Sequence, residues 1–340
     1  MAALKKIVFA LVLLVAVLAV VGMLLPGRAH VERSATIDAP RATVFVQLNG
    51  FKNFNKWSPW AEKDPNAKYT YEGPETGVGA KFSWSGDPKT VGSGSQEITE
   101  SRPYDTVVSS LDFGDKGKAI ASYLLAPEGD GTKITWSLDA TLGMSPVGRY
   151  FGLLFDRMIG PDYEKGLANL KALAESLPKA DFSDLKTEIV SVSPVTVAYV
   201  EAKSSQDDRA IASAIGAAYA RVGEFLAARK LRQAGAPLTI NTKWSDGEYE
   251  FEAAIPLNKA PAGQIPAGSP VKVKETYGGR AIKVAHRGPY HDLAQTYDKL
   301  HAYAAASGHE ASGPTWDEYV SDPGNTPEAE LITNIYLPIR

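Results

Sequence analysis

Cysteine is absent from the sequence, which excludes disulfides, thiolate nucleophiles and Cys-ligated zinc and leaves the redox compartment open. An excess of either charge is also missing. The net charge is −3 with acids and bases interspersed, so no basic stripe presents itself to a phosphate backbone and nucleic acid is not an expected partner. Histidine is scarce, and its spacing is wrong for a metal. His286 and His291 are separated by a Gly-Pro turn, unlike the i, i+4 pair of zinc enzymes, and His301 and His309 form no ligand pattern. No G-x-S-x-G elbow, Walker loop or dinucleotide fingerprint occurs; "VGSGSQ" and "TYGGRA" are glycine turns. The sequence therefore predicts no metal, no cofactor and no assigned catalytic residue.

Long apolar runs are missing too, with one exception. "KKIVFALVLLVAVLAVVGMLLPG" carries no charge from Ile7 to Leu25, and at about 1.5 Å per residue it reaches roughly the thickness of a bilayer's hydrocarbon. Signal peptides have a shorter apolar stretch, about 7–15 residues, followed by a small-x-small site. This run is longer and meets Pro26, Gly27 and Arg28, so residues 1–28 are expected to be an uncleaved anchor, with cleavage as the alternative. Lys5 and Lys6 hold the amino terminus in the cytoplasm, although Arg28 and Arg33 weaken the asymmetry. The expected localisation is the bacterial inner membrane, single-pass, with the soluble bulk in the periplasm.

What remains, at 340 residues overall, exceeds one compact core and predicts two domains. From Val31 the pattern is a strand, a helix entered through Pro40, and strand-like runs around Tyr69–Tyr71, Ala80–Trp84, Ser95–Glu100, Thr106–Phe113, Ala119–Ala126 and Lys133–Ala140. A long amphipathic segment from about Val147 to Leu177 follows. Phe151, Leu154, Phe155, Met158, Leu167, Leu170 and Leu173 recur on it near helical spacing, and a kink is expected at Gly160-Pro161. Residues 178–186 are polar, begin with a helix-stopping proline, and read as a linker.

The carboxy-terminal part, residues 187–340, contains an internal repeat. Strand "VTVAYVE", helix "AIASAIGAAYARVGEFLAARK" and strands "GAPLTINTKW" and "YEFEAAIPL" return as "RAIKVAHRG", "HDLAQTYDKLHAYAAAS", "SGPTWDEYVSD" and "LITNIYLPI". Both copies end in an apolar-proline pair, Ile255-Pro256 and Leu337-Pro338. Two such units must cover each other's apolar faces, which predicts a pseudo-twofold domain with a groove at the junction. In this reading His286 aligns with Tyr199.

The order of elements over residues 31–177, with "KWSPWAEKDPN", "GPETGVGAKFSWSG", "GSGSQEITESRPYDTV" and "GDGTKITWSLD", resembles the SRPBCC superfamily, the START-like or polyketide-cyclase-like helix-grip fold. That resemblance implies an antiparallel sheet curled around the long carboxy-terminal helix with an apolar cavity between them. The repeat, with "HRGPYHDLAQTYDKL", "WDEYVSDPGNTPEAE" and "ITNIYLPI", resembles the GyrI-like, or bacterial transcription activator effector-binding, domain, and implies a small-molecule pocket with a central acid. The expected fold is thus α+β: a transmembrane helix, a START-like domain and a duplicated βαββ domain.

Candidate site residues follow from the motifs. "HRGPYHDLAQTY" is mostly explained by structure, since Gly288-Pro289 makes a turn, Asp292 favours a helix dipole and Tyr297 falls on the buried stripe; His286 and Tyr290 remain for a groove. In "TWDEYV", strand alternation puts Asp317 and Tyr319 on one side and Trp316 and Glu318 on the other. A partly buried carboxylate among rings suits a cationic aromatic ligand. By resemblance the pocket acid is Asp317, with Glu318 as the competing assignment. Solvated carboxylates on an edge strand are the plainer alternative, and so are Glu250 and Glu252 in "YEFEAAIPL". Tyr199 joins the list through the repeat, and Trp57, Trp84 and Phe113 are the candidates among the first domain's many aromatics, which are as readily core.

The expected function is a membrane-anchored protein that binds or senses a small hydrophobic or cationic molecule without chemistry of its own. The alternative is a hydrolase or cyclase that uses Asp317, Glu318, Tyr290 and His286 as acid and base. A protein partner is a third possibility, which export of the domain would disfavour.

Overall fold

The computed structural model describes residues 2–340; Met1, the first residue of the expected anchor, lies outside them. The chain divides into two compact units, one that runs to Ser183 and also takes in Ala306–Gly308, the other made of Asp184–Ala305 and His309–Arg340. It begins with α1 (Ala2–Leu24), whose Leu4–Leu24 stretch is long and apolar enough to cross a membrane and is almost wholly exposed. The first domain then runs β1 (Arg28–Ile37), α2 (Arg41–Leu48), α3 (Pro59–Lys63), β2 (Lys68–Glu72), β3 (Lys81–Ser85), β4 (Ser93–Arg102), β5 (Thr106–Asp112), β6 (Lys118–Glu128), β7 (Gly131–Thr141), α4 (Pro146–Gly152) and α5 (Phe155–Glu175). The strands form one antiparallel sheet in the order β1-β7-β6-β5-β4-β3-β2.

Strict alternation sets the inner face of this sheet. On β7 Thr132, Ile134, Trp136 and Leu138 are buried, and on β6 Ala119, Ala121, Tyr123 and Leu125 are, while the residues between them point outward. Against that face α5 lays Tyr163, Leu167, Leu170 and Ala174, and the Tyr163 ring stacks on Trp136 with centroids 3.8 Å apart. The helical segment differs from its expected form. It is interrupted at Leu153–Leu154, and α5 continues through Pro161, whose missing donor leaves the carbonyl of Arg157 free on the exposed side of the helix. Phe151, Leu154 and Met158, expected on the buried stripe, are exposed in consequence.

Close approach of α5 to the sheet depends on Gly166. A Cβ there would sit 2.8 Å from the Trp136 ring and 3.1 Å from Pro59. Alanine normally stabilises a helix interior by about 1 kcal/mol over glycine. Gly166→Ala is expected to lower the thermal midpoint because overpacking, about 1–3 kcal/mol, outweighs that gain. At Gly216, in the helix α6 (Asp208–Ala228), a Cβ would meet nothing within 4 Å, so Gly216→Ala is expected to raise it.

The second domain contains β8 (Thr187–Val192), β9 (Thr196–Ser205), α6, β10 (Leu238–Ser245), β11 (Glu248–Pro256), β12 (Lys272–Glu275), β13 (Gly279–Arg287), α7 (Leu293–Ser307), β14 (Trp316–Tyr319) and β15 (Ile332–Pro338). Phe182, just before it, is buried, and Leu185 packs on the second domain's core, so the expected linker is solvated only in part. Asp207 caps α6 by accepting from the amides of Arg209 and Ala210. Asp246-Gly247, both at positive φ, turn β10 into β11 as an Asp-Gly hairpin does. Each copy reads strand, helix, strand, strand, and the eight strands join in the order β12-β9-β11-β10-β14-β15-β13-β8, the same sequence of roles from either edge. β8 and β12, which were not expected as strands, precede one copy each and pair with the first strand of the other copy.

Candidate functional site

The two copies meet where β10 pairs with β14, and Thr239 stands opposite Asp317. Register from the apolar-proline ends makes these two residues equivalents of each other, so the pseudo-twofold axis passes between them. One row of directly opposed residues crosses the sheet through this point: Val200, Ala253, Thr239, Asp317, Ile335 and Val284. Its outer members pack under α6 on one side and α7 on the other. Both helices therefore lie on one face, and Asp317 lies between them.

The same register corrects the alignment of His286. Ile255 matches Leu337, so Ala198 matches Ile282 and Ala202 matches His286, while Tyr199 matches Lys283 on the opposite face. His286 is buried at the entry to α7, its Nε2 donating to the carbonyl of Pro289 (3.2 Å) and its Nδ1 hydrogen-bonded to the Thr296 hydroxyl (2.8 Å). It holds the turn into the helix.

Asp317 is 4 % exposed. Tyr297, from α7, donates to its Oδ1 at 2.6 Å, and Asn241, from β10, donates to Oδ2 at 3.4 Å. Burial pushes the carboxyl up to about 6, against the lowering effect of these two donors. The symmetry extends to the helices: Tyr219 of α6, at the same offset from Thr239 as Tyr297 from Asp317, bonds the Thr239 hydroxyl at 3.1 Å. A bulge at Asn241–Lys243 lets both Asn241 and Trp244 face this side, where Tyr249 donates to Asn241 Oδ1 and packs against Trp244. Tyr319 meets Tyr219 and Tyr290 edge-on, with ring centroids at 6.4 and 5.4 Å. Burial first, then the charge of Asp317, holds the phenols of Tyr249, Tyr297 and Tyr319 well above their usual range, so they stay neutral.

Asp317, Tyr319 and Tyr290 thus come together. Trp316 and Glu318 do not join them, as alternation requires: Trp316 stacks on Tyr336 on the far face, and Glu318 accepts from Asn334 and Tyr336 there. Tyr199 is also on that face, beneath Lys274. Sequence reasoning missed Tyr219, Asn241 and Tyr249, and treated Tyr297 as core. Matching the copies by helix offset would have found Tyr219 and Tyr297 as a pair.

The first domain holds a cavity of about 280 Å³ between α5 and the sheet. Trp84 and Phe113 line it, with Trp60, Phe82 and Tyr163. Trp57 does not. It is buried against Phe54, Tyr123 and Trp136 and donates its indole N–H to the carbonyl of Gln47, which fixes it in the core. Ser58 Oγ, buried and on the lining, has no hydrogen-bond partner among the described residues.

Comparison with known proteins gives two family matches. Residues 28–175 match polyketide cyclase / dehydrase and lipid transport, and residues 185–340 match the GyrI-like small molecule binding domain. Among solved structures, the EcmrR C-terminal domain is 17 % identical, with 46 % of this chain and 98 % of that one covered and a TM-score of 0.41. A hydrolase from Listeria innocua is 18 % identical over 46 % of this chain and 92 % of that one, with a TM-score of 0.34. The di-domain ARO/CYC StfQ from the steffimycin biosynthetic pathway is 15 % identical over 44 % of this chain and 51 % of that one, also at 0.34. No curated protein matches. The chain thus carries a domain of the polyketide cyclase and lipid transport family followed by a GyrI-like small molecule binding domain, a pairing that points to small-molecule binding.

Proposed function

We propose that this is a membrane-tethered binding protein with two small-molecule modules and no chemistry of its own. The observation that carries the reading is Asp317, a buried carboxylate with no cationic side chain beside it among the described residues. An unpaired buried anion costs several kcal/mol, so it protonates or waits for a partner. A cationic ligand supplies the partner. The neutral rings of Tyr219, Tyr290 and Tyr319 add cation–π attraction of about 0.5–2 kcal/mol, which favours a flat aromatic cation.

The first cavity suits a different molecule. Its ring-lined wall and the unpartnered Ser58 hydroxyl favour a neutral, largely apolar body with one polar atom. The exposed, uncharged stretch of α1 supports an anchor, and Lys5 and Lys6 before it favour a cytoplasmic amino terminus with both domains on the periplasmic side. A hydrolase in the second domain is the rival. It is less well supported because His286 is engaged at the entry to α7 and Tyr290 reaches Tyr319 rather than the carboxylate.

Native mass spectrometry of the detergent-extracted chain tests the reading. A co-purifying mass lost in Asp317→Ala but kept in Glu318→Ala is expected for a ligand of the second domain. An increment that survives both substitutions together belongs to the first domain. Turnover of a bound ester, abolished by Asp317→Ala, would replace the binding reading with the hydrolytic one.

A further inference from the structure

Bare apolar residues on α1 are what a membrane span requires, but a second set lies outside it. Met144, Val147, Phe151, Leu153, Leu154 and Met158 range from 81 % exposed at Met144 to 49 % at Leu154. Single exposed apolar residues are ordinary; this many along α4 and the start of α5 make a patch.

The patch is tied to α1. Tyr150 donates to the carbonyl of Leu18 at 2.9 Å, and Arg149 donates to the carbonyls of Leu25, at 3.0 Å, and Met23. A Cβ at Gly22 would strike Pro146 and Tyr150, so glycine there lets α4 lie against the helix. Leu18 is about 9 Å along the axis from the end of α1 at Leu24. That matches the depth, about 5–10 Å, to which interfacial apolar segments enter the headgroup and acyl boundary. Arg149 meanwhile places a cation on the helix's terminal carbonyls, where the dipole favours it.

The cavity opens at the same end. Among its lining residues only Lys116, Lys118 and Thr141 are exposed. Thr141 pairs with Arg28, and the amide of Leu142 donates to the carbonyl of Gly27. Arg28 follows Leu24 by four residues, so this mouth lies within about 14 Å of the apolar helix along the chain. Phe155, on the cavity wall, directly follows the exposed Leu154.

We propose that this end of the first domain sits on the bilayer that holds α1, with α4 and the start of α5 inserted at headgroup level, so that the cavity exchanges its apolar ligand with lipid rather than with water. The proposal rests on the anchor reading, and one experiment separates the two. The chain has no cysteine, so single cysteines can be labelled in the full-length protein. Leu14→Cys in α1, Phe151→Cys in α4 and Asp130→Cys in the turn between β6 and β7, at the opposite end of the sheet, are each labelled with an environment-sensitive dye. Each is then reconstituted in phosphatidylcholine vesicles with plain or brominated acyl chains. Bromine is expected to quench the labels at Leu14 and Phe151 and to leave Asp130 unchanged. Quenching at Leu14 without quenching at Phe151 overturns the proposal and leaves the anchor standing. Loss of quenching at Leu14 overturns both.

Discussion

At about pH 8 the Asp317→Asn variant is expected to melt at a higher temperature than the parent, and near pH 4 the difference is expected to vanish. The sign follows from linkage. Burial raises the folded-state carboxyl from 3.8 to about 6, so between those values the folded chain holds a proton that the unfolded chain has released. Stability from this group is complete below the unfolded value and is lost as pH rises through the folded one. Above that window the loss is about 3 kcal/mol at most, two pKa units at 1.36 kcal/mol each. Asparagine removes the ionisation while its oxygen still accepts from Tyr297. It forfeits the long bond from Asn241, which trims the gain. Thermal melts of parent and variant across the range read both arms; a parent whose stability does not fall between pH 4 and 7 relative to the variant would mean that Asp317 is ionised and paired as it stands. The same titration should govern binding: the affinity for a cation rises with pH through about 6 and levels off once the carboxylate is formed.

Alternation made the first domain legible. β6 buries every second residue from Ala119 to Leu125 and β7 from Thr132 to Leu138, and a period of two needs no knowledge of the partner strand. The duplication was legible for the same reason, since each copy repeats a local pattern. β8 and β12 were not, because they are short edge strands, one reading "KVKE", and each is held by the other copy's first strand, far away in sequence. The candidate site divides along the same line. Strand parity separates Asp317 and Tyr319 from Trp316 and Glu318 correctly, since it depends only on neighbours. Tyr219, Tyr249, Tyr297 and Asn241 come from four different elements that converge on the pseudo-twofold axis, and no local spacing brings them together. The mismatch of His286 with Tyr199, three residues from its true equivalent Ala202, hid the pattern, because a slip by an odd number of residues in a strand exchanges the two faces.

Parity also gives a test of the two proposed ligand sites. Under the proposed reading a planar aromatic cation such as ethidium should bind the full-length chain at Asp317, and Asp317→Asn should weaken it about 100-fold, the equivalent of about 3 kcal/mol for a buried charge left without its partner. Glu318→Gln should leave that affinity unchanged, because Glu318 spends its acceptors on Asn334 and Tyr336 across the sheet. A neutral apolar dye such as Nile red should instead enter the first cavity, where Ala140→Trp fills much of the space on the wall. Fluorescence titrations of both probes against the three variants are expected to give opposite patterns: the cation responds only to Asp317→Asn, and the neutral dye only to Ala140→Trp. Loss of cation binding in Glu318→Gln would move the acid to the other face, and loss of both probes in a single variant would mean that one cavity serves both. The proposed division of ligands follows from charge: Lys116 and Lys118 at the rim of the first cavity repel a cation, and a neutral body leaves the buried Asp317 carboxylate unpaired.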